Sequence, residues 1–126
     1  MTTRTTLVSG ADAATREAAI RRSIDSENAP STAVILEGLA YGNDAFEFSA
    51  NRPNIHIIRI ASGCLCCTGN LTLGVHLNRI LRQRPAQLYI SLADATHIER
   101  LEEFLKQPAY AKWLTLAGQM SYATVR

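Results

Sequence analysis

The chain has 126 residues, of which 47% are hydrophobic and 19% are charged, with only four prolines. This profile indicates one folded globular domain over residues 1–126 and excludes a disordered tail. The formal net charge is +2 and no block of lysine or arginine stands out, so neither nucleic acid nor an anionic membrane is expected as a partner.

No apolar run in the sequence approaches the length that a membrane span needs. The apolar stretch near the N-terminus is also too short for the core of a signal peptide. We therefore expect a cytoplasmic protein. In that compartment thiols stay reduced, so structural disulfides are not expected.

Apolar strand patterns alternate with helical patterns along the chain. Strands are predicted at residues 5–9, 33–36, 54–60 and 88–91, and helices at 13–24, 71–82 and from 96 or 97 to 106. Residues 113–116 and 122–125 are two further strand candidates, which the pattern does not rank. Such alternation implies βαβ crossovers. We therefore predict an α/β fold with three layers, in which a mostly parallel sheet is flanked by helices in a Rossmann-like topology.

All three cysteines, Cys64, Cys66 and Cys67, lie within four consecutive positions. The predicted strand before them and the predicted helix after them place the cluster in a strand-to-helix loop, where α/β folds commonly carry their chemistry. Clustered thiols in a reducing compartment indicate a metal site or redox chemistry. Thiolates are soft ligands, so Zn²⁺ or Cu(I) is the expected metal.

The identity of the metal determines how many further ligands are needed. Three sulfurs suffice for Cu(I), whereas Zn²⁺ requires a fourth ligand. Glu37, His56, a second subunit and water all remain open for that position. Glu37 ends the second predicted strand at the expected ligand-binding edge of the sheet, although a solvated loop carboxylate is an equally good interpretation. His56 lies within an apolar strand and is expected to be a core histidine.

The cysteine motif and the order of elements resemble the CobW-like family of P-loop GTPases and metal chaperones, relatives of the HypB and UreG metallochaperones. The family shows Gly-Cys-x-Cys-Cys between a strand and a helix, and residues 63–67 read Gly-Cys-Leu-Cys-Cys. Its Ala-Val-Ile strand core looks like residues 33–35, and its Gly-Leu-Ala-Asp-Pro stretch looks like residues 91–95. The resemblance implies a P-loop NTPase-like topology and a metal-binding role for the cysteines, with zinc as the first candidate metal.

The nucleotide motifs of that family are degraded here. In the P-loop pattern G-x-x-x-x-G-K-[ST] only the first glycine, Gly10, remains. Thr15 stands at the second glycine, Arg16 at the lysine and Glu17 at the Mg²⁺-binding hydroxyl. The guanine-reading Asn-Lys-x-Asp motif is absent from the sequence. Gly10 and Arg16 are the remaining cofactor-binding candidates, and GTP binding is not expected. Glu17 is expected to interact with the positive helix N-terminus instead.

Together these features predict a truncated, degenerate CobW-like protein without the family's C-terminal domain. It is expected to be a pseudo-GTPase, and not an enzyme, that binds or delivers a transition metal through the cysteine loop. One alternative is a weakly active GTP-binding metallochaperone of the same family. Another is a non-enzymatic interaction module that docks on a full-length relative or a metalloenzyme. The expected partners are the metal ion and a recipient metalloprotein or a second copy of the chain.

Overall fold

The computed structural model describes residues 2–10, 13–27, 30–37, 54–60, 71–92 and 98–122. The elements in chain order are β1 (Thr3–Gly10), α1 (Ala13–Glu27), β2 (Thr32–Glu37), β3 (Ile55–Ile60), α2 (Leu71–Arg82), β4 (Gln87–Leu92), α3 (Ile98–Leu105), α4 (Pro108–Ala111) and β5 (Leu114–Tyr122). No helix within these ranges is long and apolar enough to cross a membrane.

The five described strands form one parallel sheet in the order β3-β2-β4-β1-β5. Because β4 lies between β1 and β2, the β1-α1-β2 connection passes over it. Parallel strands cannot be joined by tight hairpins, so each connection is a crossover. The α/β prediction is confirmed, and the sheet is parallel throughout its described strands.

Helices cover both faces of the sheet. On one face, Ile20 and Ile24 of α1 pack against Val8, Val34 and Leu36. On the other face, α2, α3 and α4 share a larger apolar cluster with the sheet. Every residue of β2 and of β4 is buried, as expected for central strands that are covered on both sides. This arrangement gives the predicted three layers.

The predicted elements are found, with longer bounds at several ends. Pro108, which follows α3, begins the short helix α4, where its missing N–H costs nothing. The strand candidate at 113–116 overlaps the first part of β5, which begins at Leu114. Of the candidate at 122–125, residue 122 ends β5 and residues 123–125 lie outside the described part of the chain. Along β1, Thr5 pairs with Leu116 and Thr6 pairs with Gly118, so Ala117 is an extra residue in β5. This irregularity interrupts the alternation by which a strand is recognised in a sequence.

Candidate functional site

Because the strands are parallel, the carboxyl ends of β1, β2, β3 and β4 meet at one edge of the sheet. Loops that follow strands at this edge commonly carry the ligand sites of α/β proteins. The connection of residues 61–70, which contains all three cysteines, begins at this edge. Residues 61–70 lie outside the described part of the chain, so the cysteine site remains a prediction.

Glu37 is the last residue of β2 and pairs in register with Ile60, the last residue of β3. Only 2% of Glu37 is exposed, so the interpretation as a solvated loop carboxylate is wrong. By strand alternation Glu37 shares a face with Ala33 and Ile35, which pack in the cluster that also holds α2. A buried carboxylate therefore stands beside the strand end from which the cysteine segment departs.

Gly10 ends β1 with a backbone φ of 84°. This left-handed conformation is readily adopted by glycine and disfavoured for residues with a Cβ. The first glycine of the degraded P-loop pattern is therefore required by the backbone itself. Its retention needs no bound phosphate as an explanation.

Arg16 is buried, with 3% of its surface exposed. Its Nε donates a hydrogen bond to Ser91 Oγ at 2.9 Å, and its Nη1 donates to the carbonyl oxygen of Gly10 at 3.2 Å. The structure thus brings the two predicted cofactor-binding residues, Gly10 and Arg16, together. Arg16 links Gly10 at the end of β1 to Ser91 in β4.

Glu17 forms a two-pronged ion pair with Arg59 of β3. Arg59 Nη2 donates to Glu17 Oε1 at 2.9 Å and Nη1 donates to Oε2 at 3.1 Å. Glu17 is only 5% exposed. The sequence predicted an interaction of Glu17 with the helix N-terminus but not this pairing, in which the guanidinium fork gives a buried carboxylate two charge-assisted hydrogen bonds.

Arg59 and Ser91 are the residues of this region that sequence reasoning missed. Arg59 is a lone cation among the isoleucines of β3, and a charged residue within an apolar strand usually has a partner. That signal was present in the sequence. The partner was not, because Glu17 and Arg59 are 42 positions apart and meet only through the fold.

The two histidines in the described part of the chain, His56 and His76, add little to a metal site. His56 is exposed, so the expectation of a core histidine is wrong. His76 is half-buried on α2, and its Nδ1 atom is buried without a hydrogen-bond partner in the described residues. Within the described ranges no three histidine, cysteine or acidic side chains gather closely enough to hold a metal ion.

The parallel sheet, its two helical layers and the β1-to-α1 turn at Gly10 define a P-loop NTPase-like α/β domain. The family model of the CobW/HypB/UreG nucleotide-binding domain matches residues 5–110. The chain belongs to this family, and the resemblance drawn from the cysteine motif is confirmed.

The chain is also similar to the zinc chaperone YeiR of Escherichia coli (strain K12). The two are 36% identical over 62 residues, which are 48% of this chain and 19% of that protein. The match therefore spans about a fifth of the relative's length. No solved structure matches the chain significantly.

Proposed function

We propose that this chain binds or hands on a transition metal, zinc first, through Cys64, Cys66 and Cys67. The observation that carries the proposal is the three-thiol motif in a chain that belongs to this family and is similar to a zinc chaperone. Three sulfur donors suit a soft or borderline metal and do not suit Mg²⁺ or Ca²⁺. The metal is cargo in this proposal, not a structural part of the domain.

Glu37 is the proposed fourth ligand. Its support is its burial at the end of β2 and its register pairing with Ile60. Ile60 lies three residues before Gly63, where the cysteine motif begins. A carboxylate oxygen completes a tetrahedral zinc site with three thiolates. Binding would displace the thiol protons, so affinity should fall as the pH is lowered.

We further propose that the domain works without GTP, as a pseudo-GTPase. A P-loop lysine must reach the β- and γ-phosphates, and the adjacent hydroxyl must hold Mg²⁺. At those two positions Arg16 donates to Ser91 and Gly10, and Glu17 pairs with Arg59. Nucleotide binding would have to break these contacts and would set the Glu17 carboxylate against a triphosphate. These contacts support a structural role for Arg16 and Glu17 in place of nucleotide binding.

A weakly active GTP-binding metallochaperone is the second candidate, because the matching family model is that of a nucleotide-binding domain. Calorimetric titration with Mg-GTP separates the two. The pseudo-GTPase proposal expects no saturable heat at physiological nucleotide concentrations. Micromolar affinity that is lost in Gly10→Ala or Arg16→Gln would establish the second candidate. The third candidate is an interaction module for a full-length relative, a recipient metalloenzyme or a second copy of the chain.

Metal analysis tests the main proposal and separates it from the third candidate. Protein purified under reducing conditions without chelator should contain about one zinc ion per chain, or one per dimer. The triple variant Cys64→Ser, Cys66→Ser, Cys67→Ser should contain none, and Glu37→Gln should retain less than the wild type. Equal metal content in the wild type and the triple variant would refute the proposal.

A further inference from the structure

The opposite end of the sheet carries a second surface that the metal proposal does not use. Helix α2 ends at the amino edge of the sheet, and its last turn forms one wall of a pocket of about 190 Å³. The lining residues are Asn78, Leu81, Arg82, Ala109 and Trp113. We call these residues, together with Arg84, the α2–α4 pocket.

The floor of the α2–α4 pocket is apolar and firmly held. Leu81 is buried in the main core cluster. The Trp113 backbone N–H donates to the carbonyl oxygen of Tyr110 at 2.8 Å, and its carbonyl oxygen accepts from Thr3 N at 2.9 Å. Trp113 is half-buried, so one part of the indole packs into the protein. A rigid aromatic side chain of this kind is a common anchor point in protein interfaces.

Arg84 supplies the first of two positive charges at this pocket. Its guanidinium lies 5.6 Å from the centre of the Trp113 ring, a favourable cation–π arrangement. Its backbone φ is 51°, a left-handed conformation that ends α2. Glycine is the usual residue at such a helix end. An arginine in this conformation is strained. Because glycine would be favoured by the backbone, the presence of arginine points to a role for its side chain.

Arg82 supplies the second charge, and Arg79 lies one turn earlier on the same helix face. All three arginines are exposed. Within the described part of the chain, none of them has an ion-pair partner. An apolar floor beneath unneutralised guanidinium groups is complementary to an acidic chain that carries an apolar side chain.

The size of the pocket decides between classes of ligand. Pockets for cofactors and drug-sized molecules usually measure about 300–1,000 Å³, whereas this one has room for a single side chain. The net charge of +2 argues against a nucleic-acid surface. We propose that the α2–α4 pocket binds an acidic peptide segment of a partner protein, with one apolar side chain seated against Trp113.

The proposal is independent of the metal proposal, because the α2–α4 pocket lies at the amino edge of the sheet, whereas β3, which precedes the cysteine segment, ends at the carboxyl edge. A partner docked here would leave the carboxyl edge accessible. Acidic residues flanking the anchor would pair with Arg82 and Arg84 through forked hydrogen bonds.

Peptide titration tests the inference. The probe is fluorescein-labelled Glu-Glu-Leu-Glu-Glu, followed by anisotropy and by the fluorescence of Trp113, the single tryptophan of the chain. Saturable binding is expected, and it should weaken about tenfold for the neutral peptide Gln-Gln-Leu-Gln-Gln and for Arg82→Gln. Arg84→Gly should weaken binding similarly while raising the melting temperature, because it relieves the strained backbone.

Two controls make the outcome specific. Arg22→Gln removes an exposed arginine from α1 on the opposite face of the sheet and should leave peptide affinity unchanged. The triple cysteine-to-serine variant should also bind the peptide normally, which separates this inference from the metal proposal. Absence of saturable binding by the wild type up to about 1 mM peptide would overturn the inference. Equal losses in Arg22→Gln and Arg82→Gln, or tighter binding of oligothymidylate through the same arginines, would also overturn it.

Discussion

Two neighbouring residues of α1 carry opposite charges into the interior and reach different strands there. Arg16 contacts Ser91 of β4, and Glu17 contacts Arg59 of β3. Buried charges are costly unless they are paired and hydrogen-bonded. Both charged groups form hydrogen bonds with other residues of this chain. In a working P-loop, the residues at these two positions contact a phosphate and Mg²⁺. The residues at the lysine and Mg²⁺-binding positions of the family's motif therefore both have partners elsewhere in the fold.

Removing the Glu17 carboxylate should remove the forked ion pair with Arg59. Glu17→Gln is expected to lower the free energy of unfolding by about 2 kcal/mol, because two charge-assisted hydrogen bonds of a largely buried pair are weakened. The loss stays below the full penalty since the Arg59 side chain is 21% exposed and water can reach it. Urea denaturation measures the change.

Glu103→Gln, an exposed acidic position on α3, is the matched control and should change stability by less than about 0.5 kcal/mol. The double variant Glu17→Gln, Arg59→Gln should recover part of the loss, because no uncompensated charge remains. Equal effects of Glu17→Gln and Glu103→Gln would show that the pair contributes nothing to folding.

Arg16→Lys restores the residue type of a P-loop but should destabilise this protein. An ammonium group cannot reproduce the two donors that Arg16 directs to Ser91 and Gly10. We expect a loss of about 1–2 kcal/mol in unfolding free energy, measured by the same denaturation experiment. The triple reversion Thr15→Gly, Arg16→Lys, Glu17→Thr should lose more. Unchanged stability together with new Mg-GTP binding would instead reveal a dormant nucleotide site.

At the scale of elements, α2 approaches α4 closely at Gly74. A Cβ at this position would lie 3.2 Å from Tyr110 Oη and 3.9 Å from Phe104 Cζ. Tyr110 is buried, and its ring packs against Phe104 with 5.1 Å between the ring centroids, so it has little freedom to move away. The absence of a side chain at Gly74 thus allows α2 to lie close to the ring of Tyr110.

Gly74→Ala should therefore be nearly neutral in the wild-type background. The gain in helix propensity, about 1 kcal/mol, is opposed by the tight contact with Tyr110 Oη. In a Tyr110→Phe background, where the hydroxyl is removed, the same substitution should stabilise by about the full propensity difference. Thermal unfolding of the wild type, the two single variants and the double variant gives the coupling free energy between positions 74 and 110. Identical effects in both backgrounds would show that the contact does not limit packing.

The order of elements was predictable because buried parallel strands and amphipathic helices have distinct sequence periods. The bounds of β5 were not, because Gly118 and the extra residue Ala117 interrupt its pattern. Glu37 was predicted as a candidate ligand from its place at a strand end, and its burial, which the sequence left open, is shown by the structure. The partners Arg59 and Ser91 were not found, because side-chain pairs between distant segments depend on strand order and register.

At the scale of the whole molecule, the carboxyl edge of the parallel sheet is where α/β folds of this kind usually carry their ligand sites. The β1-to-α1 turn and the cysteine connection both leave that edge. In this chain Arg16 and Glu17, at the start of α1, contact Gly10, Ser91 and Arg59. On the proposed function, activity depends on the cysteine connection alone, and metal binding should not require nucleotide.

Alkylation of the cysteines with and without zinc tests this central claim most directly. The reduced protein is treated with iodoacetamide in the presence of a chelator, of Zn²⁺, or of Zn²⁺ with Mg-GTP, and each thiol is followed by mass spectrometry. We predict that Zn²⁺ protects Cys64, Cys66 and Cys67 together and that Mg-GTP changes nothing. Equal alkylation rates with and without zinc would contradict the account.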